Sequence, residues 1–76
     1  MKYPTIKELV KDKRVNFDFY RANVAYYTTT DNEGFDWRFP VRLDDVGDAT
    51  LLAQDKAILY MRWIRKAITN NELHKI

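Results

Sequence analysis

The sequence predicts a small α+β domain with the element order α-β-β-β-α, in which two helices pack on one face of a three-stranded antiparallel meander. Two observations lead to this fold class. Apolar residues recur at helical spacing near both ends of the 76-residue chain, and at a spacing of two between them. Residues 16–41 also contain eight of the aromatic residues, which are large enough to form most of a small core.

The first helix is predicted from the residues that follow Pro4. Thr5 and Glu8 have the spacing of a capping box, in which each side chain accepts a hydrogen bond from the other residue's backbone N–H. The cations between Lys11 and Arg14 suit the C-terminal end of a helix. A short apolar stripe lies between these signals and is formed by Ile6, Leu9 and Val10.

Three strands are predicted between residues 15 and 43, because apolar and polar residues alternate there. A two-residue turn at Ala22-Asn23 pairs Phe19 with Tyr26, and a four-residue turn at residues 31–34 pairs Thr28 with Trp37. In this register one face carries most of the apolar side chains, which is what a core requires. The predicted core-facing residues are Val15, Phe17, Phe19, Val24, Tyr26, Thr28, Phe35, Trp37, Phe39, Val41 and Leu43.

The last helix is predicted from about Ala49 to Thr69, with Asp48 as its N-cap and Asn70-Asn71 at its end. Residues 1–4 and 70–76 are expected to be frayed ends of a single domain covering residues 1–76. The apolar arc of this helix is wider than one sheet face covers. It extends over Leu52, Leu59 and Trp63. Either the first helix or a second copy of the chain covers these residues, so a homodimer is one of two alternatives.

The predicted element order over residues 4–69 resembles that of the double-stranded-RNA-binding domain, and the length is similar. That family carries a lysine-rich motif at the start of its last helix, where it contacts RNA phosphates. The corresponding segment here is DDVGDATLLAQDK, which contains four aspartates and a single lysine, Lys56. The resemblance therefore implies a topology and no RNA-binding residues.

The composition argues against an enzyme and against a cofactor or metal site. The chain contains no cysteine and no serine, so the commonest nucleophiles and a thiolate metal site are absent. Its only histidine, His74, lies in the predicted tail, and the aspartates of residues 44–48 lack the spacing of a calcium loop. Gly34 and Gly47 are isolated and form no phosphate-binding loop. We therefore expect a protein that is not an enzyme and needs no cofactor.

The charge balance gives weak support to a nucleic-acid partner. There are 13 Lys and Arg residues against 11 Asp and Glu, a net charge of +2. Dedicated nucleic-acid binders concentrate a larger basic excess. The apolar runs are too short to cross a membrane, and the charged N-terminal segment does not look like a signal peptide. We expect a cytoplasmic protein.

Two surfaces are candidates for binding. On the outward face of the predicted sheet, tyrosines lie beside arginines, which suits either a protein interface or stacking on bases. The polar side of the last helix carries three cations that suit phosphates or a partner's acidic groups. The candidate residues are Tyr20, Tyr27, Arg38 and Arg42 on the sheet, and Arg62, Arg65 and Lys66 on the helix.

Two functions are compatible with these patterns. The first is a small protein-interaction module, an accessory or inhibitory factor that covers a partner's surface, of the size common among phage and mobile-element proteins. The second is a nucleic-acid-binding domain that uses the basic residues of the last helix and the outer sheet face. The mixed charge and the absence of catalytic motifs favour the first.

Overall fold

A computed structural model describes residues 3–9, 15–42 and 56–76 of the chain. Within them lie a four-stranded antiparallel sheet and two helices, a small α+β fold. The strands are adjacent in the order β1-β2-β3-β4. The elements in chain order are α1 (Ile6–Leu9), β1 (Val15–Arg21), β2 (Val24–Thr30), β3 (Asp36–Arg42), α2 (Lys56–Thr69) and β4 (His74–Lys75). The predicted start of the last helix, with Asp48 and Leu52, lies outside the described residues.

A fourth strand replaces the frayed tail that the sequence predicted for residues 70–76. The end of α2 is closed by two hydrogen bonds, from Asn71 N to Ile68 O and from Glu72 N to Ala67 O. With Asn71 at φ 57°, this is the Schellman arrangement, which turns the chain back toward the sheet. Leu73 is then fully buried. The following two residues form β4, which pairs antiparallel with β3. The expected three-stranded meander is therefore wrong.

Helix α1 begins with the predicted capping box. The Thr5 backbone N–H donates to Glu8 Oε2 at 3.1 Å, and the Glu8 N–H donates to Thr5 Oγ1 at 3.3 Å. The helix is held to the sheet by its last residue, because Thr29 Oγ1 on β2 donates to the Leu9 carbonyl at 2.8 Å. Both Leu9 and Thr29 are buried.

The first hairpin has the predicted two-residue turn, followed by a bulge that the sequence did not reveal. Ala22 and Asn23 adopt φ values of 51° and 64°, as a tight turn between twisted strands requires. Phe19 pairs with Tyr26 as predicted. Beyond that pair the register shifts, and Phe17 lies opposite Tyr27 instead of Thr28. Asp18 is the extra residue of a β-bulge, which places Phe17 and Phe19 on opposite faces of the sheet.

The second turn differs from the prediction because of the Asp31 side chain. Asp31 Oδ1 accepts hydrogen bonds from the backbone N–H groups of Glu33 and Phe35, both at 2.9 Å. Asp31 Oδ2 accepts one from the indole Nε1 of Trp37, also at 2.9 Å. These bonds hold Phe35 within the loop, and β3 starts at Asp36. The turn is one residue longer than expected.

That one residue changes which face of β2 meets the core. Thr29 pairs with Trp37, and Tyr27 pairs with Phe39, so the expected pairs of Thr28 with Trp37 and Tyr26 with Phe39 are wrong. A shift of one residue moves every side chain of a strand to the other face. Tyr26 consequently leaves the core face and Tyr27 joins it. On β3 the predicted core residues Trp37, Phe39 and Val41 are buried as expected, whereas Phe35 is 45% exposed.

The core lies between the described helices and the face of the sheet that carries Trp37 and Phe39, which we call the helix-bearing face. Helix α2 contributes Trp63, Ile64 and Ala67. The ring of Trp63 stacks on Tyr27 with centroids 5.8 Å apart. The buried residues of this core cluster are Leu9, Trp37, Phe39, Val41, Trp63, Ile64, Ala67 and Leu73.

Burial of Trp63 within one copy removes the reason for predicting an interface between copies at this residue. Trp63 is only 9% exposed, and Leu59 is partly buried against the same core. The wide apolar arc of α2 is therefore used inside the chain at these two positions. The homodimer stays a prediction.

Replacement of Trp37 by alanine should destabilise the protein by about 3–5 kcal/mol, because the truncation leaves a cavity in the core. It also removes the indole N–H that Asp31 accepts. Thermal or urea unfolding measures the change. Phe35→Ala is the control, since Phe35 is half exposed and its loss should cost about 1 kcal/mol or less. Equal stability of Trp37→Ala and the wild type would show that Trp37 is not in the core.

Asp31→Asn should lower the melting temperature at neutral pH. It should also reduce the fall in melting temperature that the wild type shows when the pH is lowered. The hydrogen bond from the Trp37 indole is the main cause that lowers the pKa of Asp31 below its ordinary value of 3.8. Desolvation raises this pKa, but the backbone donors of the loop lower it further. A lowered folded pKa gives stability that is complete above the unfolded value and is lost as pH falls through the folded value. The difference in melting temperature between the wild type and Asp31→Asn should therefore become smaller below pH 3.8.

Glu33→Gln is the matched control for this experiment, since it removes a neighbouring carboxylate from the same loop. It should keep the wild-type loss of stability between neutral pH and acid. If Asp31→Asn and Glu33→Gln gave the same pH profile, the Asp31 carboxylate would not be the group that holds the loop.

Candidate functional site

The face of the sheet opposite the helices carries an aromatic pair next to an arginine. Phe19 on β1 and Tyr26 on β2 are direct cross-strand partners on this outer face. Their rings stack with centroids 4.7 Å apart and an interplanar angle of 23°. Phe19 is 36% exposed, and Tyr26 is partly exposed. The pair thus presents apolar surface to solvent.

Arg38 on β3 completes this group. Its Nε donates to Asp18 Oδ2 at 2.8 Å, and its Cζ lies 5.1 Å from the centroid of the Phe19 ring. The bulge in β1 makes this arrangement possible, because it places Asp18 and Phe19 together on the side where Arg38 lies. We call Asp18, Phe19, Tyr26 and Arg38 the outer-face cluster.

A depression of about 370 Å³ lies at this cluster. Aromatic rings and cationic side chains line it together, a combination that suits a ligand with both an apolar part and a negative charge. His74 reaches the depression because β4 pairs with β3 directly at Arg38. The lining residues are Phe19, Arg21, Ala22, Tyr26, Arg38 and His74.

The structure moves both predicted tyrosines off the outer face. Tyr27 stacks on Phe39 and Trp63 on the helix-bearing face, because of the shift in the second turn. Tyr20 pairs with Ala25, which shares that face, and its hydroxyl donates to Asn23 Oδ1 at 3.2 Å. Tyr20 is 55% exposed at the end of the hairpin. Phe19 and Tyr26 occupy the outer-face positions that Tyr20 and Tyr27 were expected to hold.

The predicted basic residues do not form one surface. Arg38 and Arg42 lie on β3, and each pairs with an acid, Arg38 with Asp18 and Arg42 with Glu72. The other three cations belong to α2, on the opposite side of the sheet, where their side chains are exposed. They are Arg62, Arg65 and Lys66. The sheet therefore separates the two halves of the predicted basic site.

A second depression, of about 470 Å³, lies where the second turn meets α1 and β4. Its lining mixes acids with aromatic rings, and it includes Glu8, Asp31 and Trp37. The Lys75 ammonium lies 3.6 Å from the centroid of the Phe35 ring at this place. The Asp31 carboxylate is already used by three donors of the loop and the core. This depression is thus largely a product of the turn that sets the register.

Neither a metal site nor a membrane span is found among the described residues. No group of three or more histidine, cysteine, aspartate or glutamate side chains is placed there to hold a metal ion. The aspartates of residues 44–48 lie outside the described part. No helix of residues 3–9 or 56–76 is long and apolar enough to cross a membrane.

Sequence reasoning missed Phe19 and Tyr26 as surface residues because it assigned both to the core. One signal was present. Asp18 is a charged residue between two phenylalanines, and it forms an ion pair with Arg38 of β3 across the intervening strand β2. The bulge that accompanies this pair had no signal in the sequence.

Comparison with known proteins gives no relative for this site. No protein-family model matches the chain, and no similar curated protein or solved structure was found.

Proposed function

We propose that the protein is a small non-enzymatic interaction module that binds a protein partner through the outer-face cluster. The observation that carries the proposal is the stacked pair of Phe19 and Tyr26 with Arg38 over the Phe19 ring, on the face of the sheet away from the described helices. In this proposal the module is an accessory or inhibitory factor that masks a surface of its partner in the cytoplasm.

The chemistry of the cluster supports a protein interface. Tyrosine and arginine are enriched among the residues that dominate binding energy at such interfaces. Stacking fixes the rings of Phe19 and Tyr26 before binding, and the bond to Asp18 fixes Arg38. Little side-chain entropy would then be lost on association, which favours affinity for a given contact area.

The distribution of charge supports a protein over a nucleic acid as the partner. Nucleic-acid binding requires several cations that meet successive phosphates. Here Arg42 is paired with Glu72, and Arg62 and Arg65 lie on the far side of the sheet from Arg38, so these cations do not follow one another along one face. A nucleic acid remains the alternative, with α2 as its site.

Phe19→Ala and Tyr26→Ala should each weaken partner capture by about 2 kcal/mol, close to a 30-fold loss of affinity, as hot-spot truncations do. Tagged protein in a lysate of the source cells, followed by quantitative mass spectrometry, measures the retained partner. Tyr20→Ala is the matched control, because Tyr20 is an exposed aromatic residue on the helix-bearing side of the same hairpin. It should retain the partner.

Loss of capture in Tyr20→Ala, with retention in Phe19→Ala and Tyr26→Ala, would contradict the proposed surface. A different result would support the nucleic-acid alternative. Bound nucleic acid that is released by moderate salt, and lost in the double variant Arg62→Ala/Arg65→Ala, would replace the protein-interaction proposal with a site on α2.

A further inference from the structure

The depression at the outer-face cluster is cationic as well as aromatic. Arg21 and Arg38 contribute two guanidinium groups to its lining, and His74 contributes an imidazole. Asp18 is the carboxylate that pairs with Arg38 beside it. Among the residues described around this depression, the two guanidinium groups thus outnumber the neighbouring acid. The surface is complementary to a ligand that carries negative charge.

Arg38 is held in a way that leaves its end available. A guanidinium has five N–H donors, and Asp18 accepts the one on Nε. The Phe19 ring lies next to Cζ and limits the positions that the guanidinium can take. Within residues 3–9, 15–42 and 56–76, neither terminal nitrogen of Arg38 donates to a protein acceptor. Two parallel donors at the end of a fixed guanidinium match the two oxygens of a carboxylate.

We propose that the segment recognised by this surface is acidic: a carboxylate of the partner accepts both terminal N–H groups of Arg38, while an apolar side chain next to it lies on the rings of Phe19 and Tyr26. This inference rests on the proposed function, and it specifies the chemistry of the partner. Arg21 and His74, which also line the depression, add donors for a second acidic residue of the same segment.

A carboxylate in a peptide fits these groups better than a nucleic-acid backbone does. A phosphodiester chain carries a charge at every nucleotide and would need a track of cations along the face. On the outer face the next arginine along β3, Arg42, is paired with Glu72. The available donors are therefore concentrated at one place, next to an apolar surface, as the anchor of an acidic peptide requires.

The test uses two synthetic peptides as probes. In the acidic probe, glutamates alternate with tyrosine and leucine, and in the neutral probe glutamine replaces every glutamate. A single-stranded oligonucleotide serves as a third probe. Chemical-shift changes in ¹⁵N-labelled protein report both the site and the affinity. The acidic probe should shift the resonances of Phe19, Tyr26, Arg38 and His74, and it should bind at least about tenfold more tightly than the neutral probe, because charge-assisted hydrogen bonds are lost in the latter.

Variants at Arg38 distinguish the effect of its two parallel N–H donors from the effect of its positive charge. Arg38→Gln should reduce the affinity for the acidic probe by about tenfold or more. Arg38→Lys keeps the charge but cannot donate two parallel bonds, so it should recover only part of the loss. Arg62→Gln, on α2, should bind the acidic probe as the wild type does. Unchanged melting temperatures establish that each variant is folded.

The outcomes distinguish this inference from the proposed function. Equal binding of the acidic and neutral probes at the outer face would overturn the inference and leave an interaction surface of apolar character. An acidic probe that shifts nothing at the outer face, or that shifts α2 instead, would also overturn it. Preference for the oligonucleotide at Arg38 would overturn both. The lysate capture with Phe19→Ala, Tyr26→Ala and Tyr20→Ala tests the proposed function without reference to charge.

Discussion

The Asp31 carboxylate determines how β2 and β3 lie against each other, and the rest of the structure depends on that register. It accepts two backbone N–H groups of its own loop and the indole N–H of Trp37. A shorter turn would present Tyr26 to the core and Tyr27 to solvent, because strand side chains alternate. The extra residue in the turn exchanges the faces on which the two tyrosines lie. The core then uses Tyr27, stacked between Phe39 and Trp63, and the outer face receives Tyr26.

A second irregularity, the bulge at Asp18, completes the candidate site. The turn at Ala22-Asn23 pairs Phe19 with Tyr26, and without the bulge the next residue, Asp18, would lie opposite Tyr27 on the core side. The bulge also brings Asp18 to Arg38, 20 residues away in sequence. The two irregularities act together: the longer second turn places Tyr26 on the outer face, and the bulge places Asp18 beside Arg38 there. Bulges commonly serve to redirect a side chain at a functional surface.

The features that the sequence predicted correctly depend on local chemistry. The capping box of Thr5 and Glu8, the turn at Ala22-Asn23 and the end of the helix at Asn70-Asn71 all involve residues that interact within a few positions. The burial of Trp37, Phe39 and Val41 followed from simple alternation along one strand.

The features that were missed depend on interactions that spacing does not reveal. A side chain that accepts backbone N–H groups lengthened the second turn, and its effect depends on Trp37, six residues further on. Strand β4 forms because Leu73 finds a place in a core that residues from α1, β3 and α2 create. With three polar residues before it and two after, Leu73 alone gave no strand signal. Since the candidate site follows from the register, the errors in the fold became errors in the site.

Nuclear Overhauser contacts between aromatic rings test the central claim, the register of β2, most directly. The structure predicts contacts between the rings of Tyr26 and Phe19, and between those of Tyr27 and Trp63, whose centroids lie 4.7 and 5.8 Å apart. Contacts of the Tyr26 ring with Trp63 or Phe39, and a Tyr27 ring in contact with neither, would contradict the account. The outer-face cluster would then not exist.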